Sequence, residues 1–251
     1  FVAGINTIDA VVNGTADIGM MADYAAVNRL GNTLDATNLQ IFSQISGGQA
    51  ALSGGLYVDP KYADDPKSLD GSAGFMYQEG TVTYYYASKC IEYLGLDESK
   101  QNLINTDSSQ TRLALIQKGG ASAVYANGSE AKYIEEAGWV QVATSQEIGI
   151  QTGSYFLSTD KYISENTDTL AKFLQAVDES TQYINDHLDE SAEYLADKLG
   201  LKAEDFKENW KNYSFEPGFS EEATTHLEDI EKWGFEHGSF PKDYNIRDFI
   251  N

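Results

Sequence analysis

The sequence has little of what most catalytic and metal sites are built from. It has one cysteine, Cys90, so no intrachain disulfide can form. Cys90 falls in a helical run with Val82, Tyr86 and Tyr93, a pattern that favours a small core residue over a reactive thiol. A phosphate-binding loop, a dinucleotide fingerprint, a zinc-ligand spacing and a nucleophile elbow are all missing. The sequence therefore predicts no cofactor.

Histidine is also scarce. His187, His226 and His237 all fall in the acidic, helix-rich part of the sequence, and no two have the spacing of metal ligands. We therefore predict surface positions for all three and no metal site.

Basic side chains are few as well. The chain carries 17 Lys and Arg against 39 Asp and Glu, a formal net charge of -22. This excess repels phosphate backbones and anionic lipid surfaces, so a nucleic-acid partner is disfavoured. No apolar run approaches the roughly 18 residues of a membrane span. The chain starts with Phe1 rather than Met, which leaves a lost export signal or lipid anchor open.

The composition predicts a folded protein, since hydrophobic residues make up 41% of the chain and aromatic residues 12%. The alternation of helix and strand patterns predicts the α/β class. Residues 7–24 indicate a helix capped by Gly14, a short buried strand, and then Asp23 and Tyr24 in a loop. That loop follows the carboxyl end of the strand, where open α/β sheets bind ligands.

The same helix-glycine-strand unit returns at residues 111–128, with Gly119 in the place of Gly14 and a strand over 121–125. Two copies predict two lobes, although any helix-glycine-strand unit would look similar. The polar stretch 62–71 predicts a lobe boundary. We therefore assign residues 1–58 and 155–251 to lobe one, and residues 59–154 to lobe two.

The remaining pattern gives further elements in each lobe. Phe1-Val2 is typical of the end of a strand, and one continuous helical period runs over 167–199. The other predicted strands cover 39–45, 55–58, 74–77, 139–143 and 150–158, and the other predicted helices cover 24–30, 83–94, 203–210 and 221–235.

Two glycine-rich stretches follow predicted strands. Gly47 and Gly48 allow a close backbone approach, or form a plain turn. Gly80 leads into a helix start that carries Thr81 and Thr83, where free N–H groups and hydroxyls suit an anion or a carbonyl group. The alternative is that one of the threonines is simply the N-cap.

The order of these motifs resembles a known family. The segments NGTADIGMMADYAAV, GLYVDP, SLDGSAGFMYQEGTVTYYYASKCIEYLGL and STDKYISENTDTLAKFLQAVDESTQYINDHLDESAEYLADKLGL resemble extracytoplasmic solute-binding proteins of the nitrate/sulfonate/taurine class. The resemblance implies a two-lobed periplasmic-binding-protein type II fold with a helical C-terminal region. It also implies a monomeric, periplasmic or lipid-anchored receptor that delivers a small molecule to an ABC transporter permease. Proteins of this class usually have a strand-helix-strand unit before the equivalent of Phe1, and the resemblance leads us to expect that this unit is missing here.

The resemblance places the ligand between the lobes, and four aromatic rings are expected near it. Family proteins usually have Gly-Ser at the helix start, whereas this chain has Gly-Thr preceded by Glu79, which argues against a bare anion. The predicted ligand-binding residues are Asp23, Tyr24, Gly47, Gly48, Gly80, Thr81, Thr83, Tyr84, Tyr125, Asn127 and Tyr155.

These residues include neither His nor Cys, so the usual bases and nucleophiles are missing and we expect no enzyme. The tyrosines, with Asp23 and Glu79, favour a ligand that has N–H donors or an amine and an aromatic or apolar body, such as a pyrimidine-like vitamin precursor. The alternatives are a sulfonate, taurine or nitrate anion, and an enzyme of vitamin-precursor biosynthesis on the same fold.

Overall fold

The computed structural model describes residues 4–34, 38–48, 54–69, 71, 73–79, 81–200, 202–211 and 214–251. The chain divides into two compact units. The first unit consists of Phe1–Ala51 together with Thr152–Asn251, and the second unit consists of Leu52–Gln151. Each unit has its own β-sheet. The predicted α/β class is confirmed. The predicted strand end at Phe1-Val2 lies outside the described residues.

The regular elements alternate between strands and helices along most of the chain. The strands are β1 Gly19–Ala22, β2 Leu39–Gly48, β3 Gly54–Val58, β4 Phe75–Tyr77, β5 Leu103–Asn105, β6 Ala123–Asn127, β7 Val140–Thr144, β8 Thr152–Thr159 and β9 Phe215–Gly218. The helices are α1 Gly4–Val12, α2 Asp23–Thr33, α3 Val82–Tyr93, α4 Ser109–Gln117, α5 Gly128–Glu136, α6 Ser145–Ile148, α7 Asp160–Glu165, α8 Thr167–Asp186, α9 Leu188–Leu199, α10 Ala203–Lys211 and α11 Glu221–Glu236.

The sheet of the first unit has the order β1-β8-β2-β9, with β8 antiparallel to both β1 and β2. Tyr155 and Leu157 of β8 are both fully buried. They are two residues apart, and alternate side chains of a strand point to the same face of the sheet. Gly153 lies on the same strand opposite Gly47 of β2. Strand β8 therefore brings both Gly153 and Tyr155 to the middle of this sheet.

The sheet of the second unit has the order β5-β4-β6-β3-β7. Strand β4 is parallel to β5 and β6, whereas β3 is antiparallel to β6 and β7. The sequence analysis assigned β3 to lobe one with residues 1–58, but its ladder partners lie in the second unit. A five-residue apolar run predicts a strand without specifying its sheet, because the pairing partners are distant in sequence.

One prediction about the helices is confirmed and another is wrong. Gly14 and Gly119 have φ of 71° and 64°, the left-handed conformation that ends a helix, as predicted. The prediction of one continuous helix over 167–199 is wrong, because the chain leaves helical geometry at His187 between α8 and α9. Both helices pack on one apolar cluster, so the hydrophobic period continues through the break. Among the described residues, no helix is long and apolar enough to cross a membrane.

Cys90 lies in α3 and is fully buried, as predicted. Burial raises the pKa of its thiol, so the reactive thiolate is disfavoured. This cysteine is a core residue.

Glu231 of α11 is a buried carboxyl group in the first unit, 8% exposed. Burial raises its pKa, and the nearby carboxyl groups of Asp243 and Glu228 raise it further. The folded state then binds the proton more tightly than the unfolded state does, so stability falls as the pH rises from the unfolded pKa through the folded one.

We therefore expect Glu231→Gln to raise the free energy of unfolding at pH 8 by up to about 1 kcal/mol and to have no effect at pH 3. Glu193→Gln on the exposed face of α9 is the control, since it removes the same charge and should stay within about 0.5 kcal/mol at both values. Urea unfolding measures both variants. An equal gain in the control would assign the effect to net charge instead of burial.

Candidate functional site

Asp23 is the centre of a buried polar cluster in the first unit. It begins α2 directly after β1 and is 1% exposed. Its Oδ1 accepts a hydrogen bond from the Tyr24 N–H at 2.6 Å, and its Oδ2 accepts one from the Gly153 N–H at 2.9 Å. His226 Nε2 of α11 lies 2.8 Å from the same Oδ2. A buried carboxylate needs such partners, and here they come from three separate elements.

Two predictions about this cluster are wrong. Asp23 lies in the first turn of α2 and not in the predicted loop, whereas Tyr24 lies in the same helix, as the predicted helix over 24–30 has it. His226 was predicted on the surface, yet it is 6% exposed. The signal that could have found it is the helical spacing of His226 with Ala223 and Ile230, which are both buried on α11.

Tyr155 is the second polar group of the cluster and is fully buried. Its hydroxyl has no hydrogen-bond partner among the described residues. Burial raises the pKa of this hydroxyl, and the Asp23 carboxylate raises it further. A Cβ on Gly153 would lie 2.6 Å from the Tyr155 hydroxyl, so only glycine at position 153 leaves room for this ring.

The other predicted residues of the first unit lie nearby in the fold but differ in role. Gly47 faces Gly153 across the β2–β8 ladder, and Gly48 faces Thr152. The Tyr24 ring packs edge-on against Trp233 with ring centroids 6.0 Å apart, and it is buried. Gly47 therefore joins the Asp23 and Tyr155 cluster, whereas the Tyr24 side chain is a core residue.

In the second unit, Thr81 is the N-cap of α3. Its hydroxyl accepts from the Thr83 N–H at 3.3 Å and donates to the Gln78 carbonyl at 2.8 Å. The Thr83 hydroxyl accepts from the Gln78 N–H at 2.8 Å. The N-cap alternative therefore describes what Thr81 does in the fold. Gly80, the predicted residue before it, lies outside the described residues.

A polar pocket lies at the carboxyl ends of β4 and β5, which are parallel and so end at the same edge. Its volume is about 600 Å³. The Asn105 amide donates to Glu79 Oε2 at 3.1 Å, and the Glu79 N–H donates to Asn105 Oδ1 at 3.0 Å. The lining residues are Gln78, Glu79, Asn105, Thr106, Asp107 and Thr111.

The charge of this pocket is negative. Hydrogen bonds from the Thr111 and Ser108 hydroxyls hold the pKa of Asp107 below its usual range, so Asp107 is ionised at neutral pH. Neither Lys nor Arg belongs to the lining. The pocket therefore offers acceptors to a ligand that carries N–H donors or a positive charge. Among the described residues, no group of three or more His, Cys, Asp or Glu is arranged to hold a metal ion.

The remaining predicted residues are spread over the second unit. Tyr84 packs against Tyr77, with ring centroids 4.7 Å apart. Tyr125 is buried, and its hydroxyl lies 2.9 Å from Ser145 Oγ. Burial raises the pKa of Tyr125 to about 12. Asn127 is exposed at the start of α5. Of the residues that line the polar pocket, the sequence pointed to Glu79 but gave no signal for Asn105, Thr106, Asp107 and Thr111.

The profile of the NMT1/THI5-like family matches residues 3–191. The chain belongs to the NMT1/THI5-like family. A search of curated proteins gave no match.

Solved structures show the fold of this family member. The periplasmic aliphatic sulphonate binding protein SsuA from Escherichia coli matches with a TM-score of 0.82 and 18% identity, over 100% of this chain and 84% of that one. The alkanesulfonate-binding protein SsuA from Xanthomonas axonopodis pv. citri, bound to MOPS, has a TM-score of 0.72 and 16% identity over 100% and 86%. The NMT1/THI5-like chain therefore has the periplasmic-binding-protein fold, and the predicted resemblance to the nitrate/sulfonate/taurine class is confirmed.

An enzyme shares the same fold. A cysteine-to-serine mutant of the desulfurization enzyme DSZB, in complex with biphenyl-2-sulfinic acid, matches with a TM-score of 0.69 and 10% identity, over 99% of this chain and 87% of that one. Fold alone therefore does not decide between binding and catalysis.

Proposed function

We propose that this NMT1/THI5-like chain is an extracytoplasmic solute-binding receptor that captures a small organic molecule and delivers it to the permease of an ABC importer. The observation that carries the proposal is the fold, which the whole chain shares with periplasmic sulfonate-binding proteins. Three features stay predictions of the sequence: a monomeric state, a periplasmic or lipid-anchored location, and a ligand held between two lobes.

The pocket at β4 and β5 supports a donor-bearing ligand. Glu79 and Asp107 each accept hydrogen bonds within the pocket, and the remaining lone pairs of their carboxylate oxygens can accept further bonds from an ammonium or amino group. A bare nitrate or a simple sulfonate would instead meet two carboxyl groups and be repelled. We therefore favour an amine or aminopyrimidine with an aromatic or apolar body.

Titration followed by native mass spectrometry tests this ligand class. We expect the protein to retain an aminopyrimidine unaltered, and Glu79→Gln to weaken its binding at least tenfold, since a hydrogen bond to a charged group contributes roughly 1.5–3 kcal/mol. Glu136→Gln, an exposed carboxylate at the end of α5, is the matched control and should leave affinity unchanged. Retention of an alkanesulfonate or nitrate in place of the aminopyrimidine would contradict the donor-bearing class.

One observation favours an enzyme as the second candidate. The sequence analysis argued against catalysis because no histidine fell among the predicted site residues, yet His226 lies against Asp23. A histidine oriented by a carboxylate is a common general base. Against this reading, both groups are almost fully buried. Conversion of the bound ligand by the wild type but not by His226→Gln, followed by mass spectrometry, would establish the enzyme and exclude a simple receptor.

A further inference from the structure

Helices α8 and α9 of the first unit border an open groove of about 600 Å³ that the proposed receptor function does not use. We propose that this groove binds a basic, partly apolar helical segment of a partner protein. The residues that carry the argument are Glu179, Tyr183, Ile184, Glu190, Tyr194 and Leu195.

The groove has an apolar inner wall and aromatic rims. Ile184 and Leu195 are partly buried and pack on the cluster that joins α8, α9 and α10. Tyr183 and Tyr194 are 51% and 65% exposed, one from each helix. Tyrosines with this much exposed ring are enriched at protein interfaces, because they bury a large area at a small entropic cost. A groove between two helices also suits the apolar stripe of a third helix.

The charge of the groove selects the partner. Glu179 and Glu190 are exposed, and no ion pair with Lys or Arg is found for either among the described residues. In sequence, α8 and α9 each carry four acidic residues and one lysine. Lysine and arginine side chains of a partner would therefore be attracted, and an acidic segment would be repelled.

One rim ring already accepts a cation. The Lys198 ammonium lies 4.7 Å from the centroid of the Tyr194 ring. A cationic side chain of the partner would take the same place by a cation–π contact. Lys198 therefore competes with the partner, and its removal should tighten binding.

The test uses a fluorescein-labelled peptide of lysine and leucine at helical spacing, titrated with the whole chain and followed by fluorescence anisotropy. We expect binding by the wild type, at least tenfold weaker binding by Glu179→Lys/Glu190→Lys, and several-fold weaker binding by Tyr183→Ser/Tyr194→Ser. Lys198→Ala should bind the peptide more tightly. A glutamate–leucine peptide of the same spacing should not bind.

The matched control is Asp64→Lys/Glu136→Lys, which changes the net charge equally at exposed sites of the second unit. It should weaken peptide binding by less than twofold. Equal weakening by both charge variants would overturn the proposal, because the attraction would then come from the overall charge. Failure of the wild type to bind, dimerisation lost on Tyr183→Ser/Tyr194→Ser, or full competition by tetramethylammonium would also overturn it.

Discussion

Asp23→Ala is expected to lower the free energy of unfolding by about 3 kcal/mol, the largest loss we predict for a charged residue. The substitution removes the acceptor of the Tyr24 and Gly153 N–H groups and leaves the His226 ring without its carboxylate. All of these groups are shielded from water, so water cannot replace the lost hydrogen bonds and the cost of burying each polar group is no longer offset.

Urea unfolding monitored by circular dichroism measures this loss. The control is Asp189→Ala, because Asp189 pairs with Lys207 at 3.1 Å but its side chain is 90% exposed. An exposed pair of this kind contributes less than about 1 kcal/mol. If Asp23→Ala costs no more than the control, the three contacts do not stabilise the first unit. A loss of ligand binding by Asp23→Asn without loss of stability would instead support the predicted ligand contact at Asp23.

Gly74→Ala is expected to cost at least about 3 kcal/mol. Gly74 has a φ of 67°, and a Cβ there would lie 2.2 Å from the backbone oxygen of Asn102. The neighbouring backbone cannot move away easily, because the Phe75 N–H donates to that oxygen and the Ser122 N–H donates to the Gly74 carbonyl. Strain and steric clash therefore act together at the start of β4.

Gly71 provides the matched control for this prediction. Its φ is 76°, but a Cβ there would have nothing within 4 Å. Gly71→Ala should therefore cost only the conformational term, about 1–2 kcal/mol. Thermal and urea unfolding of both variants separate the two contributions, and equal losses would show that the contact with Asn102 is relieved at small cost.

Local sequence predicted the features that depend on neighbouring residues. The helix ends at Gly14 and Gly119, the burial of Cys90, and the N-cap alternative for Thr81 all follow from short-range rules about backbone conformation and periodicity. It also predicted the α/β class, because helix and strand periodicities are local patterns.

Tertiary structure decided which of these elements share a sheet and which polar groups meet. Asp23 and His226 are 203 positions apart, and their contact depends on how α2 and α11 pack. The same holds for β3, whose sheet is set by pairing with β6 and β7. The sequence by itself determined the local conformation and the solute-binding resemblance, whereas long-range packing decided where the buried charges and the polar pocket lie, because desolvation and hydrogen bonding depend on neighbours that are distant in the chain.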